Sequence, residues 1–175
     1  MSFINIEIKA RTSKSAEIRQ YLQEHKADSR GTDLQTDIYF NVHKGRLKLR
    51  QGNIENNLIY YERDNQHGPK QSAFNLMKAD DPQNLESILT AALGIKTVVK
   101  KTREIYFIEN VKFHLDTLEG LGSFVEIEAS NRYAPLSNEQ LDIQCNFYME
   151  AFGIQEEDLV NISYSDMLLG NLSEK

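Results

Sequence analysis

Residues Asn5-Ile6-Glu7-Ile8-Lys9 alternate strictly between polar and aliphatic side chains, and two later segments follow the same pattern. These are Arg46-Leu47-Lys48-Leu49-Arg50 and Val125-Glu126-Ile127-Glu128. Successive side chains of a β-strand point to opposite faces, so the pattern predicts three strands, each with one charged and one aliphatic face. The charges are sorted by sign: the segment 46–50 is basic, 125–128 is acidic and 5–9 is mixed.

Two interpretations of these charged faces are open. In the simpler one, an antiparallel sheet packs its apolar face on the core and leaves its charged face in water. In the other, the sorting by sign serves a site that binds a metal ion and a polyanion. An unpaired buried charge is expensive, so burying the basic set would require burying the acidic set with it. The second interpretation therefore requires that the charged faces share one cavity.

The composition is that of a globular protein of ordinary polarity. The chain has 175 residues, of which 40% are apolar and 26% are charged, and its formal net charge is −6. This length fits one domain spanning residues 1–175. The acidic balance argues against nucleic acid or a membrane surface as a partner, since both attract proteins with a basic excess.

The lone cysteine and the first residues lead us to expect a cytoplasmic protein. Cys145 has no second cysteine with which to form an intramolecular disulfide, which suits a reducing compartment. Residues 1–5 lack the basic lead and the apolar run of a signal peptide. Nowhere does the sequence approach the stretch of about 18 apolar residues that a membrane-spanning helix needs.

Eight β-rich segments lie between turn-forming residues. They cover about 2–10, 34–42, 46–51, 58–64, 70–77, 97–110, 111–118 and 123–130, with a loop over 26–33 and a turn over 65–69. Helices are predicted over 13–25, between the capping residues Asp81 and Gly94, from Ser137 to Gly153, and within 158–169. Many strands joined by short turns indicate an α+β fold, in which an antiparallel eight-stranded closed β-barrel forms a tunnel with flanking helices.

A closed barrel would direct one face of each strand into a common lumen. The acidic candidates for this lumen are Glu7, Asp116, Glu126 and Glu128, and the basic ones are Lys9, Arg46, Lys48, Arg50, Lys101 and Arg103. Hard cations such as Mg²⁺ or Mn²⁺ prefer carboxylate oxygens, and arginine matches phosphate in bidentate geometry. Together the two sets predict a pocket for a metal-bound polyphosphate.

Four segments in order along the chain resemble the CYTH domain, the superfamily of class IV adenylyl cyclases and thiamine triphosphatases. They are Glu7 with Lys9, Gly45–Arg50, Lys101 with Arg103, and Leu115–Asp116 with Leu121–Glu128. Residues 164–168 also resemble the closing segment of that family. The resemblance covers nearly the whole chain and implies a triphosphate tunnel with a metal site.

The chain departs from the family pattern at two places. Asn5 stands where the family has a glutamate, which lowers the negative charge near the first metal position. The lysine that the family places on the strand matched by residues 59–63 is missing. Arg63 is the natural replacement, although a register slip of one residue would put Glu62 there instead.

The resemblance implies a Mg²⁺- or Mn²⁺-dependent enzyme that acts on a small-molecule triphosphate. It assigns metal binding to Glu7, Asp116, Glu126 and Glu128, phosphate binding to Lys9, Arg46, Lys48, Arg50, Arg63, Lys101 and Arg103, and catalysis to Lys9, Arg50 and Arg103. A phosphohydrolase is favoured slightly. A class IV-type adenylyl cyclase making cyclic AMP from ATP and a non-catalytic polyphosphate binder stay open, and so does the oligomeric state.

Other polar residues carry weaker signals. His114 shares a strand face with Asp116, and we expect a hydrogen-bonded structural histidine there rather than a general base. Lys70 and Ser72 would reach either phosphate or the outer rim of the tunnel. Cys145 lies on the apolar stripe of a predicted helix and is expected in the core.

Overall fold

The chain folds into a closed antiparallel β-barrel of eight strands, as predicted; the structure is a computed structural model that describes residues 2–63 and 68–173. The strands are β1 (Ser2–Arg11), β2 (Asp28–Phe40), β3 (Arg46–Gln51), β4 (Asn57–Arg63), β5 (Lys70–Lys78), β6 (Ile95–Ile108), β7 (Val111–Leu118) and β8 (Gly122–Ser130). Around the barrel their order is β1-β5-β4-β3-β2-β6-β7-β8, and pairing of β8 with β1 closes the ring.

Helices flank the barrel: α1 (Ser15–Glu24), α2 (Pro82–Leu93), α3 (Asn138–Ala151) and α4 (Tyr164–Ser173), with a 3₁₀ turn at Glu156–Asp158. Two predicted N-terminal caps are confirmed. Asp81 accepts a hydrogen bond from the Asn84 backbone N–H at 3.2 Å, and Ser137 and Gln140 form a capping box. Each such cap contributes about 1 kcal/mol to helix stability. Among the helices in the described ranges, none combines the length and the apolar character needed to cross a membrane.

The second strand is longer than the sequence predicts. β2 begins at Asp28, within the predicted loop over 26–33, and pairs with β6 from Asp28 opposite Phe107 onwards, with a register shift around Gly31. Residues 28–33 are polar and mostly exposed, so their composition is typical of a loop. The long partner strand β6 supplies their backbone hydrogen bonds and overrides that local preference. Of the turn predicted over 65–69, residues 65–67 lie outside the described part of the chain.

The aliphatic faces of the strands pack outside the barrel against α1 and α3. Ile8 on β1 and Ile127 on β8 belong to one buried cluster with Leu22 of α1 and Leu141 of α3, and Cys145 lies in the same cluster, as predicted. Truncating such a side chain to alanine costs about 2–5 kcal/mol. Because the helices cover these aliphatic faces, the charged faces of β1 and β8 are turned toward the lumen.

The segment that follows α3 crosses one end of the barrel. The Val160 backbone N–H donates to the Lys9 carbonyl on β1 at 2.9 Å, and Asp166 pairs with Arg46 on β3 at 2.9 Å. Between these two contacts, Tyr164 is almost fully buried. β1 and β3 lie on nearly opposite sides of the ring, so the segment covers this end and leaves the other end as the mouth of the lumen.

Candidate functional site

The lumen contains a cavity of about 760 Å³, which lies within the range of about 300–1,000 Å³ typical of small-molecule pockets. Its lining includes, from the sequence-predicted set, Lys9, Lys48, Arg50, Arg63, Lys101, Arg103, Glu7, Glu126 and Glu128. Three of the cations are largely buried: Arg50 is 6% exposed, Lys101 6% and Arg103 3%. The charged faces therefore line a cavity rather than a solvated outer surface, and both signs are buried together.

A single buried carboxylate, Asp37 on β2, holds three of these cations. It accepts hydrogen bonds from Arg50 Nε at 2.9 Å and Nη2 at 3.0 Å, from Lys101 Nζ at 2.8 Å and from Lys48 Nζ at 3.1 Å. Burial alone would raise the pKa of Asp37, but the attraction of the three cations holds it well below its usual range. With three cations on one anion, this wall keeps an excess of positive charge that favours an anionic ligand.

Lys101 is the cation whose charge depends most on its surroundings. Burial, together with the nearby charges of Arg103, Arg50 and Lys48, outweighs the attraction of Asp37 and lowers the pKa of Lys101 to about 7. The Lys101 ammonium therefore loses its proton near neutral pH in the ligand-free protein. A bound polyanion would favour the protonated form.

On the opposite wall, Arg63 of β4 faces the cavity and forms an ion pair with Glu7 of β1. Glu62 instead points outward and pairs with Lys44 at 2.9 Å, so the register places the arginine in the lumen. Arg63 Nε and Nη2 are buried and have no hydrogen-bond partner among the described residues. Two donor nitrogens of Arg63 are thus available to a ligand. Lys9 lies beside this pair, with Nζ 3.2 Å from Glu126 Oε1 and 3.7 Å from the centre of the Tyr164 ring.

Asn5 and Ser72 lie opposite each other on β1 and β5, and both are buried. Within the described ranges, Asn5 Oδ1 and Ser72 Oγ lack a hydrogen-bond partner, and Asn5 lines the cavity. Lys70, two residues from Ser72, donates to the carbonyl of Asn161 in the segment that covers the barrel end. Lys70 therefore contacts this covering segment, whereas Asn5 is available to a ligand.

The acidic side of the lumen brings together a possible metal-binding group. Ligand atoms of His114, Glu126 and Glu128 all lie within 4.8 Å of one another. His114 Nδ1 is 3.1 Å from Glu126 Oε2 and 3.8 Å from Glu128 Oε1. The other ring nitrogen, Nε2, is buried and unpartnered as far as the described chain extends. The sequence predicted a structural histidine at 114; the structure places its imidazole in direct contact with the acidic group.

The electrostatics of this group suit a divalent cation. Burial and the charge of Arg103 lower the pKa of His114 to about 3, so its imidazole is neutral and offers a lone pair. Burial raises the pKa of Glu128 to about 7; the positive charge of Lys112 opposes this rise, and the charges of Glu7 and Glu126 add to it. Two carboxylates held this close repel each other, and a bound cation would relieve that repulsion. Carboxylates suit Mg²⁺ and Mn²⁺, and the residues present therefore fit the predicted metal.

Asp116 does not join this group. It accepts hydrogen bonds from Arg103 Nε at 2.7 Å, from Arg103 Nη2 at 2.6 Å and from the Tyr164 hydroxyl at 2.7 Å. Asp116 is directly opposite Arg103 in the β6–β7 ladder and is 1% exposed. Both of its oxygens are occupied, so its geometry is that of a residue that orients Arg103. Glu7, paired with Arg63 and opposite Glu128 in the β1–β8 ladder, lies at the edge of the acidic group.

Arg46 is likewise outside the cavity lining. Its guanidinium pairs with Asp166 at the start of α4 and helps to fix the segment that covers the barrel end. Arg46 shares a strand face with Lys48 and Arg50, as the sequence indicated, but it lies one position nearer the covered end than Lys48 on that face. Arg46 differs from Lys48 and Arg50 in its position along the barrel axis, and the alternation of side chains does not specify that position.

Several residues of the site were missed by the sequence reasoning. Asp37 carried a usable signal, because it alternates with Gln35 and Asp33 along β2 and so shares their inward face. Glu55, in the loop between β3 and β4, carried none. Its carboxylate reaches Arg50 Nη1 at 3.0 Å and also pairs with Lys112 of β7. The contact with Lys112 joins elements that are distant in sequence, and only the closed barrel brings them together.

Aromatic side chains surround the mouth of the cavity. Phe3, Phe74, Phe107 and Tyr133 all line it, and Arg132 lies 5.2 Å from the centre of the Phe3 ring. Phe3 and Phe74 stack with centroids 5.7 Å apart, while Tyr133 meets Phe107 edge-on at 5.8 Å. The cavity therefore passes from a charged interior to an aromatic mouth.

Comparison with known proteins relates the chain to one family. The CYTH domain model matches residues 4–157. A Methanocaldococcus jannaschii protein that is provisionally named an adenylate cyclase is 30% identical to this chain over 97 residues. That match covers 52% of this chain and 52% of the relative, so the chain spans about half the length of this curated relative.

Solved structures share the fold over nearly the whole chain. A protein from Pyrococcus horikoshii OT3 superposes with a TM-score of 0.78 at 24% identity, covering 93% of this chain and 98% of its own. A provisionally named adenylyl cyclase from Hippeastrum, described as having a dominant triphosphatase activity, superposes with a TM-score of 0.64 at 14% identity. This second match covers 98% of this chain and 96% of that one. At sequence identities this low, these superpositions establish a shared fold and nothing about activity.

Proposed function

The chain belongs to the CYTH family, and we propose that it is a divalent-metal-dependent phosphohydrolase that acts on a small-molecule triphosphate. One observation carries the proposal: a single cavity combines a buried cationic wall with a compact group of two carboxylates and an imidazole. A triphosphate carries the negative charge that the cationic wall needs, and its metal complex supplies the cation that the acidic group needs. A solvated protein surface requires neither arrangement.

The basic residues would hold the triphosphate and stabilise the charge that develops on the transferred phosphoryl group. Arg50 and Arg103 are already oriented by carboxylates, Asp37 and Asp116 respectively, so little reorganisation is needed when the substrate binds. Arg63 offers two donor nitrogens, Nε and Nη2, that have no partner among the described residues. In the reaction, water attacks the γ-phosphorus and the bond to the β,γ-bridging oxygen breaks, giving orthophosphate and a diphosphate. Positioning and electrostatic stabilisation are the main requirements of such chemistry.

Glu126, Glu128 and His114 would hold the metal, with Glu7 close by. A bound Mg²⁺ or Mn²⁺ would supply positive charge that neutralises the transferred phosphoryl group. The neutral imidazole of His114 is a ligand more readily accepted by Mn²⁺ than by Mg²⁺. We therefore infer that Mn²⁺ supports higher activity than Mg²⁺ does.

The aromatic mouth supports an organic triphosphate over an inorganic one. With the phosphates in the charged interior, the organic group would lie among Phe3, Phe74, Phe107 and Tyr133, where a planar ring can stack. The provisional cyclase name of the Methanocaldococcus jannaschii relative points the same way, since a cyclase acts on ATP. A class IV-type adenylyl cyclase is thus the second candidate, with the ribose 3′-hydroxyl attacking the α-phosphorus instead.

Product analysis after incubation with ATP and Mn²⁺ tests the proposal. Orthophosphate with ADP supports the hydrolase, and pyrophosphate with cyclic AMP identifies a cyclase. If ATP binds and no product forms, the hydrolase and the cyclase hypotheses are both refuted, and the protein is a non-catalytic polyphosphate binder. Glu128→Gln is the matched control, because it removes one metal ligand and keeps the cationic wall: it should bind ATP and release no product.

A further inference from the structure

The loop between β3 and β4 is anchored so that it turns into the barrel. Asp33 on β2, which is fully buried, accepts the backbone N–H groups of Ile54 and Glu55, both at 2.9 Å. Gly52 is needed beside it, because a Cβ there would lie 2.5 Å from Asp33 Oδ1. Asn56 completes the loop with hydrogen bonds to the backbone of Gly52. The position of the Glu55 side chain is therefore built into the fold.

This anchoring places the Glu55 carboxylate between cations from two walls of the lumen. Its oxygens accept from Arg50 Nη1 at 3.0 Å and from Gln35 Nε2 at 3.2 Å, and they also pair with Lys112 Nζ. Arg50 belongs to β3 and Lys112 to β7, which are separated by β2 and β6 in the ring. Glu55 thus links the β3 and β7 sides of the cavity near its mouth.

Lys112 has two carboxylates within reach, Glu128 across the β7–β8 ladder and Glu55 in the loop, and it forms its ion pair with Glu55. Lys112 is directly opposite Glu128 in the β7–β8 ladder. Side chains in such cross-strand pairs start about 5 Å apart at Cβ, and opposite charges in these positions normally attract each other. Here the Lys112 ammonium instead pairs with Glu55. If it paired with Glu128, it would occupy the oxygens that a divalent cation needs.

We propose that Glu55 is a positioning residue that holds Lys112 away from Glu128 and so keeps the group of His114, Glu126 and Glu128 open to a divalent cation. The inference rests on the proposed function in one respect, namely that a cation binds to this group. It goes beyond that function by assigning a role to a loop carboxylate outside the group of His114, Glu126 and Glu128. The physical basis is competition, since an ammonium and a metal ion cannot share the same carboxylate oxygens.

Titration of Mn²⁺ alone into the substrate-free protein, followed by calorimetry, tests the proposal without any turnover. Glu55→Gln releases Lys112, and we expect Mn²⁺ affinity to fall by about 5–150-fold, the usual range of coupling between two sites. Lys112→Met in the Glu55→Gln background removes the competing ammonium and should restore wild-type affinity. Circular dichroism checks that each variant retains its β-sheet structure.

A second double variant separates local competition from overall charge. Glu55→Gln with Lys48→Met has the same net charge as Glu55→Gln with Lys112→Met, but it leaves Lys112 in place. It should remain as weak as Glu55→Gln alone. Equal rescue by both double variants, or wild-type affinity in Glu55→Gln, would overturn the inference. If the wild-type protein itself takes up no Mn²⁺, the proposed metal site fails and the inference falls with it.

Discussion

Asp116 and Glu128 are both buried carboxylates of the lumen, yet the structure gives them opposite roles that mutation can separate. Asp116→Asn removes the charge from the ion pair with Arg103. Among the described residues, Arg103 would then keep Glu126 Oε2, at 3.4 Å, as its one anionic neighbour. Neutralising one partner of a buried pair typically costs about 3–5 kcal/mol. For a chain of this size each kcal/mol lowers Tm by about 2–4 °C, so Tm should fall by about 6–20 °C.

The same variant should leave Mn²⁺ affinity within about threefold of wild type, a margin smaller than the effect of losing a ligand. Asp116 has no free oxygen to offer a metal, and the amide oxygen of the substituted side chain still accepts from Arg103 and keeps the guanidinium off the Glu126 oxygens. Glu128→Gln should do the reverse, keeping Tm within a few degrees and weakening Mn²⁺ binding by tenfold or more. Differential scanning calorimetry and Mn²⁺ titration of the two proteins give both quantities. Burial alone would raise the pKa of Asp116, but Arg103 holds it below its usual value. The stabilisation is therefore present above about pH 4 and is lost in acid, so the wild-type and Asn variant curves should converge as pH falls.

An unchanged Tm combined with lost Mn²⁺ binding in Asp116→Asn would refute this reasoning. It would mean that Asp116 reorients toward the metal, as the sequence first predicted, and that the pair with Arg103 contributes little. Loss of stability in Glu128→Gln without loss of metal affinity would likewise contradict the assignment of the acidic group.

Three further outcomes follow from the geometry. The affinity for tripolyphosphate should fall above about pH 7, by up to about tenfold per pH unit, because Lys101 loses its proton. Lys101→Arg introduces a side chain that is always charged, so a calorimetric pH series of this variant should no longer show the dependence. Arg50→Ala should lower ATP turnover by about 10²–10³ in steady-state assays, because it removes a donor to the transferred phosphoryl group. Arg46→Ala should lower turnover less than tenfold, since the Arg46 guanidinium pairs with Asp166 outside the cavity. A loss below tenfold for Arg50→Ala would remove Arg50 from the phosphate site, and a loss for Arg46→Ala as large as that predicted for Arg50→Ala would place Arg46 in it. Asn5→Glu should tighten Mn²⁺ binding in the absence of substrate, since it adds a carboxylate next to Glu7 on the inward face of β1; unchanged or weaker affinity would show that position 5 does not influence the metal.

The strands, and the side chains that share each strand face, could be predicted from the sequence because alternation is local. A strand's period of two places Glu7 with Lys9, and Lys48 with Arg50, on one face whatever the rest of the chain does. Helix caps are equally local, and those at Asp81 and Ser137 were identified correctly. The early start of β2 was missed because residues 28–33 are polar, and only pairing with β6 makes them a strand.

The sequence by itself determined which side chains share a strand face, since that choice depends on backbone periodicity. That the charged faces line a lumen followed only from closure of the barrel. Only the tertiary structure decided which charges meet. The β6–β7 register places Asp116 opposite Arg103, and the β7–β8 register places His114 opposite Glu126, so one predicted ligand is occupied by an arginine and an unassigned histidine joins the acidic group. Glu55 reaches Lys112 only because the ring closes. Cross-strand register and closure depend on the packing of the whole chain, and no short segment encodes them.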